Sequence, residues 1–519
     1  MPKIYRGFTI VFALWLLIWL RLSWPAMQDD AFIHLRYAVN LLHQHMISYD
    51  GVHPDYGTSS LLYVWLLAAL RGLSTSPLLP RVVSSIFHMA LFTGLVIGFG
   101  RALREPPKLA QGLALLLLAL MVGPMAVRWL DDGMETSLAL CLVALIAFST
   151  SRLCHSQATS NRSVAWLFLL GLVATLARVE FLLLLGIVSL TVFAARISQT
   201  NDTSPHSVQY VRFRLAVRCA APLLGGLVAA AIIFFTKHTL IPDTAIAKGG
   251  NGSAWLGTFG AVISVLVSSL SLGILLLLFW LLTAAAIIVY QRRISIPVLL
   301  ANSPFPITLM LAGARGQQVQ GIRYFVWTLI FTIIWNILEL RWPAPPTPST
   351  ARALRMATYV LAGLFVLILP IESTLLYKEF RIRSRSLAEF RAQHLERLSG
   401  MQIVAFDVGY IGYFTESPLC DMAGLVNGRP RARLPFAERV DLCVAQHPPY
   451  AFVSQFSLDE LSHRIDMRHW SICSTYDFAN LRGSDLHYLI ASPAATSAVC
   501  AAAGNPPQPL KPLLQVGSK

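Results

Sequence analysis

Two adjacent aspartates, Asp29 and Asp30, stand directly after the first apolar segment and are well suited to acid–base chemistry. Two neighbouring carboxylates are harder to ionise together, which tunes one of them toward the role of a general base. The alternative role is helix capping, because Asp is favoured at a helix N-terminus and a helical pattern starts here. Successive helical side chains point about 100° apart, so one aspartate can cap while the other faces a cleft. Either residue is a candidate base, and Asp29 is slightly favoured because Asp30 can cap the next turn.

Further carboxylates and cations lie at the ends of later apolar segments, where ionisable groups are costly and therefore indicate function. They are Asp131, Asp132 and Glu135, then Arg178 and Glu180, then Lys237, His238, Asp243 and Lys248, and finally Arg315 and Arg323. Arg178, Lys248 and Arg323 suit a phosphate clamp, because guanidinium binds phosphate bidentately. The alternative is that they snorkel or pair with nearby carboxylates. His238 joins the phosphate-binding set rather than a metal site, because the spacing of a closed zinc site is lacking.

The composition indicates which elements hold these residues. Only 13% of the 519 residues are charged, 55% are hydrophobic, and the mean hydropathy is +0.60, whereas soluble domains carry roughly 25% charged residues. The net charge is nevertheless +15, from 41 Lys and Arg against 26 Asp and Glu. These values exclude a disordered or nucleic-acid-binding chain and argue against one large soluble enzyme. They indicate an integral membrane protein whose basic residues set its orientation.

The apolar stretches predict a polytopic helical protein with about eleven transmembrane helices. The candidates lie near residues 8–24, 81–100, 109–127, 134–150, 164–178, 180–195, 216–236, 271–290, 295–313, 323–341 and 355–371. The apolar run 60–70 is too short to cross the membrane, and treating it as a surface helix places most basic loops in the cytoplasm. Residues 25–80 are therefore predicted to be one outer loop with two juxtamembrane helices, and the N-terminus to be cytoplasmic.

The transmembrane domain is predicted to cover residues 1–371, and residues 372–519 to form a separate soluble domain on the outer side of the membrane. Strand-like runs at 402–408 and 450–456 alternate with helical patterns, which predicts an α/β fold. This domain holds four of the seven cysteines, namely Cys420, Cys443, Cys473 and Cys500. They can form one or two disulfides in an oxidising compartment, with three possible connectivities, or remain four buried thiols.

Six sequence fragments in order resemble the GT-C-fold membrane glycosyltransferases, and most closely the bacterial, mycobacterial-type terminal arabinofuranosyltransferases. They are Asp29 to Tyr37, Tyr56 to Ser59, Gly133 to Thr136, Arg178 to Glu180, Pro242 to Lys248, and Asp407 to Tyr413 followed by Asp421 to Val426. The chain departs from the family pattern at Gly57 and on both sides of Glu180. Each fragment alone is unspecific, and the match rests on their order.

The resemblance implies a GT-C fold and transfer of a sugar, a pentose such as arabinofuranose, from a polyprenyl-phosphate donor with inversion. Asp29 or Asp30 would be the base, Arg178, Lys248, Arg323 and His238 would bind the donor phosphate, and Glu135, Glu180, Tyr56 and Thr58 would position substrate. The acceptor could be a cell-envelope glycan, a lipid-linked glycan or a pilin-like protein. No cofactor is implied with certainty, although carboxylates could hold a divalent cation. The implied location is the bacterial inner membrane, in contact with membrane lipid, with a periplasmic C-terminal domain and no nucleic-acid partner.

Two other functions fit the same architecture. A non-catalytic membrane scaffold, similar to motility-related proteins of this superfamily, would use the outer domain for binding and would tolerate changes at Asp29 and Asp30. A transporter would place paired charges near the middle of the membrane and often shows a repeat, whereas these charges lie at the outer ends of segments. The enzyme is favoured over the scaffold, and the scaffold over the transporter.

Overall fold

The computed structural model describes residues 3–103, 108–155, 160–198, 215–249, 259–260, 262–263, 270–291, 294–314, 322–340, 347–479 and 483–510. Sixteen helices precede the outer domain in the described ranges: α1 Lys3–Leu22, α2 Asp29–Gln44, α3 Leu61–Arg71, α4 Leu79–Ala102, α5 Lys108–Met121, α6 Pro124–Leu130, α7 Thr136–His155, α8 Asn161–Ala177, α9 Phe181–Ile197, α10 Ala221–Lys237, α11 Asp243–Ala247, α12 Leu270–Gln291, α13 Ile296–Asn302, α14 Pro304–Ala314, α15 Val326–Glu339 and α16 Pro348–Ala392. Arg315, one of the predicted cations, lies outside the described residues.

Several of these helices have the length and composition of membrane spans. Four qualify individually, namely Leu79–Ala102, Thr136–His155, Leu272–Gln291 and Pro348–Ala392. Two bent pairs raise the number to six if each pair is one span, and six further apolar helices of the described ranges have 10–17 residues. The chain is thus a helical protein with several apolar helices of the kind that cross membranes. The number of eleven spans and their orientation remain predictions.

Two segments that the sequence predicts as continuous helices are broken. Between α5 and α6 the axis turns by 62°, and between α13 and α14 by 44°. Pro124 and Pro304 each begin the second helix of their pair. Proline has no N–H to continue the preceding helix, and its fixed φ suits a first helical position.

The first outer loop contains the two predicted short helices. The buried side of α2 includes the apolar residues Phe32 and Leu35 and also the polar residues His34 and Asn40, whereas Leu42 is exposed. Ser60 caps α3 by accepting a hydrogen bond from the backbone N–H of Tyr63, and α3 is only 11 residues long. Both helices carry the loop residues of the candidate site at their N-termini.

The outer domain is a mixed six-stranded sheet with the order β2-β1-β3-β5-β4-β6. Its strands are β1 Ile403–Ala405, β2 Leu419–Asp421, β3 Tyr450–Ser454, β4 Ser471–Asp477, β5 Leu486–Ala491 and β6 Gln508–Pro509, and its helices are α17 Gly409–Thr415, α18 Arg429–Ala432, α19 Phe436–Val444, α20 Gln455–Ser462 and α21 Thr496–Ala503. Strand β1 pairs in parallel with β2 and β3, and the remaining pairings are antiparallel. The runs 402–408 and 450–456 thus contain β1 and β3. Disulfides join Cys420 to Cys443 and Cys473 to Cys500, which selects one of the three connectivities.

The two faces of the sheet belong to different cores. Ala405 and Phe452 pack into the large core that includes the membrane helices, whereas Val404 and Val453 pack into a second core within the outer domain. Alternating side chains of a strand point to opposite faces, so the sheet is held against the membrane domain along its whole inner face. Helix α16 continues through the predicted boundary at residue 371 without interruption.

Candidate active site

The two aspartates of the first outer loop point in different directions. Gln28 is the N-cap residue of helix α2, and its side chain makes no capping hydrogen bond. Neither aspartate is therefore the N-cap. The carboxylate of Asp29 accepts hydrogen bonds from the backbone N–H groups of Gly409 at 2.8 Å and Tyr410 at 2.7 Å. Asp30 instead lines a cavity. The geometry reverses the slight preference for Asp29 as the base, because Asp30 is the aspartate that faces open space.

The cavity beside Asp30 has a volume of about 380 Å³. Its polar wall comprises Asp30, His34, Ser59, Glu135, Thr136, Arg178, Glu180, Thr244, Lys248, Thr308, Arg323 and Tyr324, and its apolar wall includes Leu182, Leu183, Leu240, Leu311, Phe325 and Trp327. Five separate stretches of chain therefore deliver ionisable groups to one cavity that also has an apolar side.

Asp30 is held between two cations. Arg323, on the 3-10 turn Ile322–Tyr324, places Nη2 at 2.8 Å from Asp30 Oδ2, and Lys248, at the end of α11, places Nζ at 3.8 Å from the same oxygen. Burial alone would raise the pKa of Asp30, but Lys248 and Arg323 outweigh it and lower the pKa to about 2. The carboxylate of Asp30 is therefore ionised beside these cations.

Glu135 organises a second part of the cavity wall. Its Oε1 accepts a hydrogen bond of 2.9 Å from Ser59 Oγ and forms an ion pair with Arg178 Nη2 at 3.1 Å, and its Oε2 lies 3.1 Å from His34 Nε2. Arg178 Nε also lies 3.3 Å from Glu180 Oε1. Burial alone would raise the pKa of Glu135, but Arg178 and His34 lower it below its ordinary range. Glu135 is thus a buried, ionised acceptor whose partners come from three different elements.

The two clusters share Arg178. Its Nη1 donates a hydrogen bond of 3.4 Å to the backbone oxygen of Arg323, the residue that contacts Asp30. A movement of the Arg178 side chain would therefore affect both Glu135 and, through Arg323, Asp30. Arg178 pairs with two carboxylates, Glu135 and Glu180, whereas Arg323 and Lys248 share the single charge of Asp30.

The structure adds six polar wall residues that sequence reasoning missed, namely His34, Ser59, Thr136, Thr244, Thr308 and Tyr324. His34 follows Asp30 by four positions, so both project from one face of α2, and this spacing was the available signal. Tyr324 lies beside its neighbour Arg323, whose guanidinium carbon is 5.4 Å from the ring centre. Burial alone would raise the pKa of Tyr324, but Lys248 and Arg323 lower it below its ordinary value. The two cations therefore make the phenol easier to ionise.

Besides Asp29, three predicted site residues do not line the cavity. Tyr56 is buried and exchanges two hydrogen bonds with Asp243, through its backbone N–H at 3.2 Å and its carbonyl at 2.8 Å. Thr58 Oγ1 lies 2.8 Å from His34 Nδ1, so it acts behind the wall rather than at its surface. His238 is exposed at the end of α10, in a left-handed conformation with φ of 53°. The structure does not bring His238 to the phosphate-binding set, because the turn after α10 points its side chain to the outside.

A divalent cation has no ready-made site in the described ranges, since these contain no group of three or more His, Cys, Asp or Glu side chains placed to hold a metal ion. The carboxylates that line the cavity are each engaged by cations or hydrogen-bond donors. The donor set is therefore one that suits an anionic ligand.

Comparison with known proteins places this geometry in a fold. A family model described as a domain of unknown function (DUF8728) matches residues 375–495, and no curated protein sequence matches the chain. The structure of ArnT from Cupriavidus metallidurans bound to undecaprenyl phosphate superposes with a TM-score of 0.53 at 12% identity, covering 93% of this chain and 98% of ArnT. The apo structure of the same protein gives a TM-score of 0.53 at 14% identity with the same coverage.

This chain has the fold of ArnT. The predicted GT-C fold is therefore confirmed as an overall architecture of apolar helices followed by a C-terminal sheet domain. The likeness covers nearly the whole of both chains, so the helices that build the cavity are part of the shared fold.

Proposed function

We propose that this protein is a membrane glycosyltransferase that takes a sugar from a polyprenyl-phosphate donor. One observation carries the proposal: the carboxylate of Asp30 and the cations of Arg323 and Lys248 meet at one wall of a cavity that also has an apolar side. A lipid-phosphate sugar needs these three features together, namely a base, fixed positive charge and a place for the lipid. The fold of ArnT, crystallised with undecaprenyl phosphate, supports the same donor class.

Arg323 and Lys248 are the proposed phosphate clamp. Both cations contact only one carboxylate of the cavity, so the pair retains positive charge for an anionic ligand. As the bond between the sugar and the phosphate breaks, negative charge grows on the leaving phosphate, and fixed cations stabilise it. Arg178 contributes from behind, because its guanidinium is committed to Glu135 and Glu180 and supports the turn that carries Arg323.

Asp30 is the proposed general base. The hydroxyl oxygen of the acceptor attacks the anomeric carbon on the face opposite the phosphate, its proton passes to Asp30, and polyprenyl phosphate leaves with the bonding electrons. This displacement inverts the anomeric configuration. In the empty cavity the two cations hold the pKa of Asp30 at about 2. A bound phosphate brings negative charge to the same cations, which raises the pKa of Asp30 and makes it a better base in the complex.

The sugar is proposed to be a pentose such as arabinofuranose, positioned by Glu135, Glu180 and His34. Glu135 already accepts a hydrogen bond from Ser59 and pairs with Arg178, so its oxygens are fixed in place for a sugar hydroxyl. The acceptor is a cell-envelope glycan, a lipid-linked glycan or a pilin-like protein. The cavity accommodates only the reacting end of this acceptor.

The reaction is proposed to take place on the outer side of a bacterial inner membrane, with the N-terminus in the cytoplasm. Two disulfides in the sheet domain support this placement, because disulfides persist in oxidising compartments such as the periplasm. The site lies at the junction of the first outer loop and this domain. The positive-inside distribution of the basic loops supports the same orientation.

Donor binding tests the clamp. The protein in lipid nanodiscs should bind undecaprenyl phosphate, and Arg323→Ala should weaken binding roughly 10- to 100-fold, since a charge-assisted hydrogen bond contributes about 1.5–3 kcal/mol. Arg468→Ala is the matched control, because Arg468 is an exposed arginine of the outer domain paired with Asp466. Equal binding by both variants would reject the clamp.

Sugar transfer tests the base. With a polyprenyl-phosphate pentose as donor, Asp30→Asn should lower kcat by about 10²- to 10⁴-fold, the usual contribution of general-base catalysis. Asp466→Asn, an exposed aspartate of the outer domain, should retain wild-type kcat. A wild-type protein that neither binds the donor nor transfers a sugar would instead support the non-catalytic scaffold.

A further inference from the structure

The outer domain contacts the first outer loop on both sides of Asp30. On the N-terminal side of Asp30, the carbonyl of Met27 accepts a hydrogen bond of 2.7 Å from Tyr410 Oη. At Asp29 the carboxylate accepts the two backbone N–H groups of Gly409 and Tyr410. One half-turn later, the ring of Phe32 lies 4.6 Å from the ring of Tyr410, centre to centre. The backbone of Asp30 is therefore enclosed by contacts to helix α17.

The contact between the outer domain and the first outer loop leaves no room for a side chain at two glycines of α17. A Cβ atom on Gly409 would lie 1.9 Å from the backbone oxygen of Asp29, and one on Gly412 would lie 2.0 Å from Tyr49 Oη. Tyr49 Oη in turn donates a hydrogen bond of 2.5 Å to the carbonyl of Val408. The absence of side chains at the two glycines thus allows α17 to lie directly against α2, and any added atom must move one helix relative to the other.

A second contact reaches another part of the cavity wall. Asp421 accepts hydrogen bonds from the backbone N–H groups of Gly424 at 2.9 Å and Val426 at 2.8 Å, which fixes the loop 421–427. The carbonyl of Leu425 in this loop would lie 2.4 Å from a Cβ atom on Gly57. Gly57 lines the cavity. The outer domain thus touches two stretches that bear cavity residues.

We propose that the outer domain is a positioning element of the active site, and that Asp29 and Gly409 are positioning residues that hold Asp30 at its place through the contact between α2 and α17. Asp29 has no role in proton transfer in this proposal. Asp30 faces the substrate, and Asp29 contacts the domain that holds Asp30 in place. The proposal rests on the function proposed for Asp30.

The expected consequence is a selective loss of turnover. Arg323 and Lys248 lie on elements that do not contact α17 in the hydrogen bonds described above, so the donor phosphate should still bind when α17 is displaced. Asp30 itself would move with α2, and a misplacement of about 1 Å can lower the rate about 10²-fold. If Asp29 and Gly409 had a merely structural role, their variants would give less folded protein, and kcat would not fall at an unchanged Kd for the donor.

The test compares two glycine variants of the full-length protein. Gly409→Ala should lower kcat about 10²-fold while the Kd for undecaprenyl phosphate changes less than about twofold. Gly400→Ala is the matched control, because a Cβ atom on Gly400 would meet nothing within 4 Å, and it should retain wild-type kcat. Asp29→Asn, which replaces one acceptor oxygen by an amide that cannot accept, should lower kcat about tenfold with the same unchanged Kd.

The outcomes separate this proposal from the proposed function. If Asp30→Asn is inactive while Gly409→Ala and Asp29→Asn turn over like the wild type, the outer domain does not position the base and this proposal is overturned. If Asp30→Asn is itself fully active, the function proposed for Asp30 fails instead. Should Gly409→Ala not fold, Tyr410→Phe, which removes only the hydrogen bond to Met27, should still show a severalfold lower kcat at an unchanged Kd, and wild-type kcat in that variant would overturn the proposal.

Discussion

Asp29 and Asp30 are neighbours on one helix and have opposite environments. At the junction with the outer domain, burial and the nearby carboxylate of Asp407 raise the pKa of Asp29 to about 7, although two backbone N–H groups favour the ionised form. In the cavity, Lys248 and Arg323 outweigh burial and lower the pKa of Asp30 to about 2. The chemistry of a carboxyl group in this protein is thus determined by what the fold places against it and not by its position in the sequence.

The same difference separates the two regions as a whole. The cavity wall contains Arg178, Lys248 and Arg323, with carboxylates between them, and so is prepared for an anion. The junction has two buried or half-buried carboxylates, Asp29 and Asp407, beside one imidazole, and its remaining contacts are backbone hydrogen bonds and aromatic rings. One region is suited to a charged ligand and the other to holding two parts of the chain together.

The largest expected effect concerns the buried ion pair of the cavity wall. Arg178→Ala leaves the carboxylate of Glu135, whose side chain is 1% exposed, without its cation. Removing one partner of a buried pair costs about 3–5 kcal/mol, so we expect a loss of this size in the free energy of unfolding. Unfolding of the protein in mixed micelles measures it.

Two further variants make this prediction specific. Arg385→Ala removes an arginine whose side chain is 84% exposed and which pairs with Glu389, so it should cost less than about 1 kcal/mol. The double variant with Arg178→Met and Glu135→Gln should regain most of the stability, because no unpaired charge stays buried, but not the activity. Equal stability of Arg178→Ala and Arg385→Ala would contradict the prediction.

The next effect concerns the pH dependence of the junction. Burial alone would lower the pKa of His487, but its Nε2 lies 2.5 Å from Asp407 Oδ2, and this contact raises the pKa from 6.5 to about 9. A raised pKa means that the stabilisation is fully present below pH 6.5 and is lost as the pH rises through 9. The shift corresponds to a contribution on the order of 2–3 kcal/mol. Unfolding between pH 6 and pH 10 should show this decline, and His487→Gln should remove it.

The carboxyl group of Asp29 titrates at lower pH than the imidazole of His487, so their contributions to the free energy of unfolding can be separated. Because its pKa is raised to about 7, the folded protein binds the proton more tightly, and stability falls as the pH rises from about 4 to 7. Asp485, whose Oδ1 lies 3.9 Å from His487 Nδ1, is the other carboxylate facing the imidazole. A decline above pH 7 that persists in His487→Gln would assign it to another group.

The smallest expected effect compares the two aspartates in donor binding. Asp30→Asn removes the anion that competes for Arg323 and Lys248, so undecaprenyl phosphate should bind about fivefold more tightly, near 1 kcal/mol, even though turnover falls. Asp29→Asn should leave the Kd unchanged within about twofold, since its carboxylate faces the outer domain. Titration of both variants with the lipid measures the contrast, and equal affinities would place Asp30 outside the phosphate site.

Some of the site follows from the sequence because its signals are local or depend on order. Of the residues singled out by their positions at segment ends, Asp30, Glu135, Arg178, Lys248 and Arg323 line the cavity, whereas Asp29 and His238 do not. The division between Asp29 and Asp30 could not be predicted, because it depends on residues 409 and 410, some 380 positions away. Tyr56 and Thr58 support the wall from behind, a distinction that sequence order does not contain.

The amino-acid sequence by itself determined the chemical inventory and the gross architecture: apolar helices, an outer sheet domain and a limited set of charges at segment ends. Hydropathy and charge act locally along the chain, so they can be read residue by residue. The tertiary structure decided which oxygen meets which cation, that His34 and Tyr324 join the site, that His238 lies outside it, and that α17 lies against α2. These outcomes depend on close packing between distant segments, where distances of a few ångströms determine whether a carboxylate binds a proton, a cation or a backbone N–H.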